Sequence, residues 1–323
     1  MQSGDQPHKR RYAIIGTGQM GLLSGIILAS QDIESVLWGR RPEHVAELIQ
    51  LRESARHLPG HRIPDQVLVT ADERGVFDGV DVIVNAVPTQ YIRPIYTRLR
   101  EHIPVGIPIV SMAKGIENET LLRPTQIIAD VLQDDPDRPA RPLASLCGPS
   151  IAAEMAGCKP ATMIAASDDE QFAITLQQDF STSWLRIYTN ADLLGVELAG
   201  ATKNVIAIAA GIVDGLTAGY NAKSALLARG LAEITRLGLA MGASSETFFG
   251  LAGIGDLATT CFCPLGRNRT CGEELGKGKK LADILASTES VVEGVPTTKS
   301  VMQLAAKYRV EMPITRSGER GAV

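Results

Sequence analysis

Lys203 lies at the centre of a run of small and apolar residues, GVELAGATKNVIAIAAG, at positions 195–211. An ammonium group is costly to bury without a partner. One interpretation is that a desolvated Lys203 lines an active site and donates a proton to a carbonyl under reduction. The other is that it reaches the surface or pairs with a buried glutamate. Composition leaves both open, but in a helix its same-face neighbours would leave room beside it, since they are Ala199, Gly200, Ile206 and Ala207.

A second group of polar residues lies between positions 248 and 275. The small-residue run GLAGIGD ends in Asp256, and its backbone can approach another group closely. The following GRNRT places Arg267 and Asn268 at the predicted start of a helix. A helix N-terminus beside an arginine suits a phosphate group. Asn268 is either the N-cap of that helix or a ligand-binding residue, and the sequence does not separate the two.

The stretch YAIIGTGQMG has the G-x-G-x-x-G spacing, with Gly16, Gly18 and Gly21. A β-type run precedes it and an apolar helical run follows, which is the context of a dinucleotide-binding turn. Where an NAD-selective site usually has an acidic residue, VLWGRR has Arg40 and Arg41, which favour a 2′-phosphate. We therefore expect NADP(H) as the preferred cofactor and NAD(H) as the second. The alternatives are a glycine-rich turn without a ligand and a solvated basic pair.

Three further predicted strands end in polar residues. They are followed by NAVPTQ (85–90), by SMAKGIE (111–117) with Lys114, and by CGPS (147–150) with Ser150. Ligands of open α/β sheets bind beyond the carboxyl ends of the strands, so we expect these segments to meet in one crevice.

These residues must be positioned by two kinds of structure. Five β-branched runs predict strands at 11–15, 35–38, 67–71, 80–87 and 107–113, and three further runs at 142–148, 161–167 and 185–190 continue the series. Helical patterns then follow at about 192–213, 221–241, 268–276, 279–286 and 295–308. The predicted fold is α/β: a Rossmann-like, doubly wound, mostly parallel sheet (1–191) followed by an all-helical domain (192–323). The polar tail after EMPIT is predicted to be non-helical.

Composition excludes several classes of protein. The 323 residues carry a net charge of −4, which argues against a bulk electrostatic nucleic-acid binder. The longest apolar region, around 193–213, contains Glu197 and Lys203, so we expect a buried helix and no membrane span. The five cysteines are odd in number and irregularly spaced, which indicates reduced thiols and no metal site. A cytoplasmic location is expected.

Several long segments, in the same order along the chain, resemble the bacterial, soluble NAD(P)-dependent glycerol-3-phosphate dehydrogenases. They are SMAKGIE, GPSIAAE, ELAGATKNVIAIAAG, GLAGIGDL, PLGRNR and VVEGVPT. The resemblance extends from about residue 11 to residue 314. It implies a 6-phosphogluconate dehydrogenase-like fold and interconversion of dihydroxyacetone phosphate and sn-glycerol 3-phosphate for glycerophospholipid synthesis. The oligomeric state is left open, with a homodimer as one alternative.

The resemblance also implies roles for individual residues. Lys203 is the implied catalytic proton donor and acceptor. The implied substrate-binding residues are Lys114, Gly148, Ser150, Lys203, Asp256, Gly266, Arg267 and Asn268. The implied cofactor-binding residues are Gly16, Gly18, Gln19, Met20, Gly21, Arg40, Arg41, His57, Lys114, Ala152, Arg267, Val291 and Glu293.

The chain departs from the family pattern in two places. Gly266 replaces a serine of the usual SPLSRNR motif, so one hydroxyl near the substrate is lost. The chain also ends soon after EMPIT, where the family continues. Two competing functions remain: another β-hydroxyacid-type dehydrogenase, and a non-catalytic NADP(H)-binding sensor. The phosphate-binding pattern at Arg267 argues against the first, and the lysines argue against the second.

Overall fold

The structure, a computed structural model, describes residues 10–134, 140–288 and 291–321. One sheet contains eight strands, in the order β10-β9-β8-β7-β6-β1-β2-β5. Their bounds are β1 Tyr12–Ile15, β2 Ser35–Trp38, β5 Val67–Thr70, β6 Val82–Asn85, β7 Ile109–Ser111, β8 Leu143–Cys147, β9 Ala161–Ser167 and β10 Leu185–Asn190. Every neighbouring pair is parallel except β8–β9, so the prediction of a mostly parallel sheet is confirmed.

Six helices connect these strands. They are α1 Gln19–Ser30, α2 Pro42–Leu51, α3 Thr89–Leu99, α4 Pro124–Leu132, α5 Ala152–Ala156 and α6 Glu170–Phe180. A hairpin of β3 (Glu53–Ser54) and β4 (Leu58–Arg62) follows α2, and the sequence did not indicate it. Apolar side chains pack on both faces of the sheet, as expected for a doubly wound α/β fold.

The chain is helical from Leu193 onward. The helices are α7 Leu193–Gly215, α8 Gly219–Met241, α9 Ser245–Phe249, α10 Asp256–Phe262, α11 Arg267–Gly276, α12 Leu281–Ser287, α13 Gly294–Tyr308 and α14 Pro313–Gly321. A π-helical turn, Leu251–Gly255, joins α9 to α10. The last strand ends at Asn190 and α7 begins at Leu193, on either side of the predicted domain boundary. Below, residues 10–190 are the sheet region and residues 193–321 the helical region.

Helix α7 is the core of the helical region and also packs against the sheet. Its apolar side chains share one cluster with Ile116, Cys147 and Ile164 from the sheet region. Among the described residues, α7 alone is an unbroken helix long and apolar enough to cross a membrane, and 83% of its most apolar window is buried in the fold. The helical segment 245–262 and α11 are bent relative to each other. They meet the same length and apolarity criteria only if the two are counted as one span. Burial inside the fold accounts for the apolarity of α7.

Four glycines let α7 and α11 cross in backbone contact. A Cβ added at Gly211 would lie 2.0 Å from the carbonyl oxygen of Arg269, and one at Gly272 would lie 2.0 Å from that of Ile208. At Gly215 and Gly276, one turn further along each helix, an added Cβ would lie 2.3 Å and 2.5 Å from a carbonyl oxygen of the opposite helix. No side chain larger than hydrogen fits there without moving a helix, and this crossing fixes the start of α11 relative to α7.

The prediction of a non-helical tail is wrong, because residues 313–321 form α14. Pro313 occupies the first helical position, where its missing N–H costs nothing. The buried carboxylate of Glu233 accepts hydrogen bonds from the backbone N–H groups of Ile314 and Thr315, at 2.8 Å each, and from the Thr315 hydroxyl. The group that caps the helix thus lies some eighty residues earlier in the chain, beyond the reach of local sequence patterns.

We predict that Gly272→Ala destabilises the fold, because the added methyl group would meet a backbone carbonyl and the helices would have to separate. Overpacking of this kind costs roughly 1–3 kcal/mol or more of unfolding free energy. Thermal unfolding followed by circular dichroism measures the effect. The matched control is Gly318→Ala, also within a helix, where an added Cβ meets nothing within 4 Å. Equal melting temperatures for Gly272→Ala and the control would contradict the proposed contact.

Candidate active site

Asp256 binds two lysines at the junction of the sheet and helical regions. Its Oδ2 lies 2.8 Å from Nζ of Lys114, and its Oδ1 lies 2.8 Å from Nζ of Lys203. Asp256 and Lys203 are 2% and 5% exposed. The three side chains form a buried cluster of two ammonium groups and one carboxylate, which we call the Lys–Asp–Lys cluster.

Three different elements position the cluster. Lys114 follows β7, Lys203 lies in the middle of α7, and Asp256 is the first residue of α10, directly after the π-helical turn. Gly200 lies one turn before Lys203 and has no side chain, which leaves room for Cys147 and Lys114. A Cβ there would lie 2.8 Å from the Cys147 sulfur and 3.6 Å from Cγ of Lys114. The small residues around Lys203 therefore make room for the cluster.

The pKa values of the three groups in the cluster are shifted in different ways. Burial alone would raise the pKa of the Asp256 carboxyl, but the ammonium groups of Lys114 and Lys203 hold it below its ordinary value. Burial lowers the pKa of Lys203, and the charge of Lys114 lowers it further, against the attraction of Asp256. Burial acts on Lys114 in the same direction, but Asp256 leaves its pKa raised. Of the two lysines, Lys203 therefore releases its proton more readily.

The surface interpretation of Lys203 is wrong, since the side chain is buried. Lys203 does pair with a buried carboxylate, but the partner is Asp256 and not the glutamate that was considered. Lys203 also donates to the hydroxyl of Thr260 at 2.6 Å, and Thr260 donates to the backbone oxygen of Asp256 at 2.7 Å. Burial and pairing do not by themselves assign a reaction, so the catalytic role remains a prediction.

Lys114 is held against the end of β8. Its ammonium donates to the carbonyl oxygen of Gly148 and to the hydroxyl of Ser150, at 3.0 Å each. Gly148 has φ +131, a conformation that favours glycine, and an added Cβ would crowd Met163 on β9. Two of the three predicted polar strand ends thus meet directly. The third, after β6, contributes residues to the neighbouring cavity.

A cavity of about 550 Å³ lies beside the Lys–Asp–Lys cluster, and Ala113, next in sequence to Lys114, is in its wall. Ten of the predicted cofactor-binding residues line it: Gly16, Gly18, Gln19, Met20, Arg40, Arg41, His57, Arg267, Val291 and Glu293. Lys114, Gly21 and Ala152 were also predicted to bind the cofactor, but they do not line this cavity. Ala152 begins α5 and packs into the apolar core instead.

The glycine turn fits a dinucleotide. Gly16 has φ +115, a Cβ on Gly18 would meet nothing within 4 Å, and a Cβ on Gly21 would lie 1.8 Å from the backbone oxygen of Gly16. These are a tight turn, an open approach for a pyrophosphate and a close helix–strand contact. The cavity wall also contains buried nitrogens without hydrogen-bond partners among the described residues, Nε1 of Trp38 and Nε2 of His44. The fit to a dinucleotide therefore rests on the geometry of the glycine turn.

The start of α11 faces the same region. Gly266 is its N-cap and Arg267 its first residue, so the interpretation of Asn268 as the N-cap is wrong. Asn268 lies inside the helix and accepts a hydrogen bond from the N–H of Gly294 at 2.9 Å. That bond attaches α11 to the segment of Glu293, whose carboxylate accepts from the N–H of Thr89 at 3.0 Å. Burial raises the pKa of Glu293, although Thr89 and Arg267 act against it.

Several contacts of this site were not predicted from the sequence. Thr260 lies four residues after Asp256, a helical spacing that would have been visible had α10 been predicted. Cys147, whose sulfur is 3.8 Å from Oδ2 of Asp256, and Asn204, which donates to the Lys114 carbonyl at 3.0 Å, were adjacent to predicted residues. His44 and Arg56 in the cavity wall had no recognisable signal. Within the described ranges, no three His, Cys, Asp or Glu side chains are grouped to hold a metal ion.

Comparisons with known proteins follow the same division of the chain. Residues 11–173 match the NAD-dependent glycerol-3-phosphate dehydrogenase N-terminus, and residues 192–319 match the C-terminus of the same family. The chain is 45% identical over 304 residues to "Glycerol-3-phosphate dehydrogenase [NAD(P)+] 1" of Salinibacter ruber, covering 94% of this chain and 88% of the relative.

Solved structures are similar to this chain over nearly its whole length. The crystal structure of glycerol-3-phosphate dehydrogenase from Coxiella burnetii has a TM-score of 0.92 at 34% identity, covering 98% of this chain and 95% of that one. A ketopantoate reductase from Ralstonia eutropha, at 15% identity with a TM-score of 0.60, covers 96% of each chain and shares the fold. The matched segments together contain the glycine turn, the cavity and the Lys–Asp–Lys cluster, and the chain belongs to the NAD-dependent glycerol-3-phosphate dehydrogenase family.

Proposed function

We propose that this protein is an NAD(P)-dependent oxidoreductase that interconverts dihydroxyacetone phosphate and sn-glycerol 3-phosphate. One observation carries the proposal: a buried Lys–Asp–Lys cluster adjoins a cavity that is lined by a dinucleotide-binding glycine turn. The family and its relatives named as glycerol-3-phosphate dehydrogenases supply the substrate pair.

Lys203 is the proton donor in the direction of ketone reduction. When bound, a nicotinamide cofactor supplies the hydride for C2 of the substrate. The ammonium of Lys203 gives its proton to the C2 oxygen, on which negative charge develops. Burial lowers the pKa of Lys203, so the neutral amine left behind is tolerated. In the oxidation direction the same amine accepts the proton from the hydroxyl.

Asp256 and Lys114 orient the reacting groups. The carboxylate of Asp256 holds both ammonium groups, so it fixes where Lys203 points. Lys114, whose pKa is raised, keeps its charge and offers a hydrogen bond at the end of β8, together with Ser150. When Lys203 is neutral, Lys114 balances the charge of Asp256, and no buried carboxylate is left unpaired.

The phosphate of the substrate would bind at the start of α11. Arg267, the backbone N–H groups of the first turn and the helix dipole all favour an anion there. This grouping favours a phosphorylated ketone over the substrates of other β-hydroxyacid dehydrogenases. A non-catalytic NADP(H) sensor would have no use for a desolvated lysine paired beside the cavity.

Three further expectations belong to this proposal. NADP(H) is preferred over NAD(H), because Arg40 and Arg41 line the cavity beyond the end of β2, where their guanidinium groups suit a 2′-phosphate. A cytoplasmic location agrees with the burial of α7 in the fold. The oligomeric state stays open, with a homodimer as one alternative.

We predict that Lys203→Ala reduces kcat by about 10²–10⁴-fold, the usual contribution of general acid catalysis. NADPH binding, measured by quenching of intrinsic fluorescence, should stay nearly unchanged, because Lys203 does not line the cavity. The control is Lys223→Ala, which removes another buried lysine paired with a carboxylate, that of Asp214. Near-normal turnover of Lys203→Ala would exclude the role as proton donor.

We predict that changing both Arg40 and Arg41 to alanine weakens NADPH binding much more than NADH binding. The guanidinium groups would pair with the 2′-phosphate, which NADH lacks. Titration of the purified protein with each cofactor gives the two dissociation constants. Arg62→Ala, an exposed arginine on β4 outside the cavity, is the control. Equal losses for both cofactors would show that the pair recognises another part of the ligand.

We predict that Arg267→Ala lowers kcat/KM for dihydroxyacetone phosphate by about tenfold or more, as expected for loss of a charge-assisted contact. Unphosphorylated dihydroxyacetone should be a poor substrate for both proteins and should be much less affected. Gly266→Ser restores the hydroxyl of the family motif and should, if anything, tighten the phosphorylated substrate. If Arg267→Ala impairs both ketones equally, the arginine acts on the cofactor or the fold, and the phosphate assignment fails.

A further inference from the structure

Two charged residues of the helical region lie where their own helices disfavour them. Asp214 is in the last turn of α7, where the negative end of the helix dipole opposes a carboxylate. Arg269 is in the first turn of α11, where the positive end opposes a guanidinium. The two side chains bind each other, with Nη2 of Arg269 2.7 Å from Oδ2 of Asp214. Each residue compensates the other, which indicates that the contact has a use beyond either helix alone.

The ion pair is largely enclosed and has further partners. The side chains of Asp214 and Arg269 are 21% and 14% exposed. The ammonium of Lys223, on α8, binds both oxygens of the same carboxylate at 3.0 and 2.7 Å. Nη1 of Arg269 also lies 3.2 Å from the carboxylate of Glu273, one turn later on α11. A fully exposed ion pair contributes little, but an enclosed one with several charged contacts holds a defined geometry.

The backbone of Arg269 is held at the same place. Its carbonyl oxygen lies against Gly211, where an added Cβ would be 2.0 Å away. Gly211 and Asp214 are three residues apart and therefore on the same face of α7. The glycine contact sets how closely the helices approach, and the ion pair resists rotation of α11 about its own axis. The contact of this turn between Asn268 and Gly294 attaches α11 to α13 and not to α7.

Rotation of α11 matters because Arg267 lies two residues before Arg269 in the same turn. An α-helix turns as a unit, so a rotation that moves one of these side chains moves the other through the same angle. Two carboxylates bind Arg269, whereas Arg267 is the arginine of this turn that lines the dinucleotide cavity. The direction of Arg267 therefore depends on the contact that Arg269 makes with α7.

We infer that Asp214 is a positioning residue for the phosphate site. By holding Arg269, its carboxylate fixes the rotation of α11 relative to α7 and thereby the direction of Arg267. Asp214 acts through Arg267 and does not touch the substrate. This inference rests on the proposed function, which places Arg267 at the substrate phosphate and Lys203, on α7, at the reacting carbon.

The first test is Asp214→Asn, which keeps the size of the side chain and removes its charge. At saturating NADPH, the KM for dihydroxyacetone phosphate should rise about tenfold and kcat should stay within about threefold, because the phosphate contact is weakened while Lys203 stays in place. The kcat/KM for unphosphorylated dihydroxyacetone should stay within about twofold. A parallel loss for both ketones would indicate a general structural role and would overturn the inference.

A control and a second variant accompany this test. Glu273→Gln removes the other carboxylate that binds Arg269, but Glu273 lies on α11 itself and cannot hold that helix against α7. Its KM for dihydroxyacetone phosphate should therefore stay within about twofold of wild type. Arg269→Gln breaks the ion pair from the other side and leaves Asp214 bound to Lys223, so it serves if Asp214→Asn does not fold. It should raise the same KM to a similar extent.

The decisive measurement is a double-mutant cycle with Arg267→Ala. Because Asp214 acts through Arg267, Asp214→Asn should change kcat/KM for dihydroxyacetone phosphate by less than about twofold once Arg267 is alanine. Arg269→Gln should behave in the same way. Losses that multiply in the double variants would overturn the inference and leave the phosphate assignment intact. If Arg267→Ala alone impairs both ketones equally, the phosphate assignment of the proposed function fails, and the inference fails with it.

Discussion

Two ammonium groups share one buried carboxylate, and much of this structure serves to bring them together. The cluster has a net positive charge in a region from which water is largely excluded. Within the described residues Asp256 is the carboxylate paired with both Lys114 and Lys203, so its removal would leave two like charges close together without that counter-charge. The three members of the cluster come from the end of a strand, the middle of a core helix and the start of a short helix. The fold must therefore hold three independent elements within hydrogen-bond distance of one another.

Polar contacts across the boundary between the sheet and helical regions hold these elements. Asn204, next to Lys203, donates to the backbone oxygen of Lys114, and Ser300 on α13 donates to that of Ile116 at 3.0 Å. Carboxylates of the helical region also cap helices of the sheet region. Glu197 accepts from the N–H of Thr125 at the start of α4 at 2.9 Å, and Glu293 accepts from Thr89 at the start of α3. Such groups satisfy helix N-termini that local side chains leave open.

Glu197 shows how a charge in an apolar helix can be misjudged from sequence. It served as an argument against a membrane span, but its position on α7 has a specific structural use. Its carboxylate is buried against Arg123 and Thr125, and burial raises its pKa although these partners act against the shift. Lys203 and Glu197 thus lie six residues apart on one helix and have different partners: Lys203 pairs with Asp256 in the Lys–Asp–Lys cluster, and Glu197 binds Arg123 and Thr125 at the boundary.

Sequence patterns predicted what is local. All eight strands of the main sheet lie in runs predicted as strands, and the turn geometry of Gly16, Gly18 and Gly21 follows from their spacing. The sequence could not supply contacts made by distant segments. Asp256 was recognised as a residue of interest, but its pairing with Lys203 depends on the π-helical turn that redirects the chain before α10. The N-terminus of α14 is capped by Glu233, and the Asn268 side chain accepts a hydrogen bond from the Gly294 N–H. Neither the helix nor the role of Asn268 could therefore be assigned from nearby residues.

The glycine crossing between α7 and α11 has a consequence for how this protein can evolve. Helix α7 carries Lys203, and α11 begins with Arg267, so the spacing of the two backbones is also the spacing of the groups proposed to act at either end of the substrate. Any lineage that replaces Gly211 or Gly272 must shift the two helices against each other, and with them the residues proposed as proton donor and phosphate ligand.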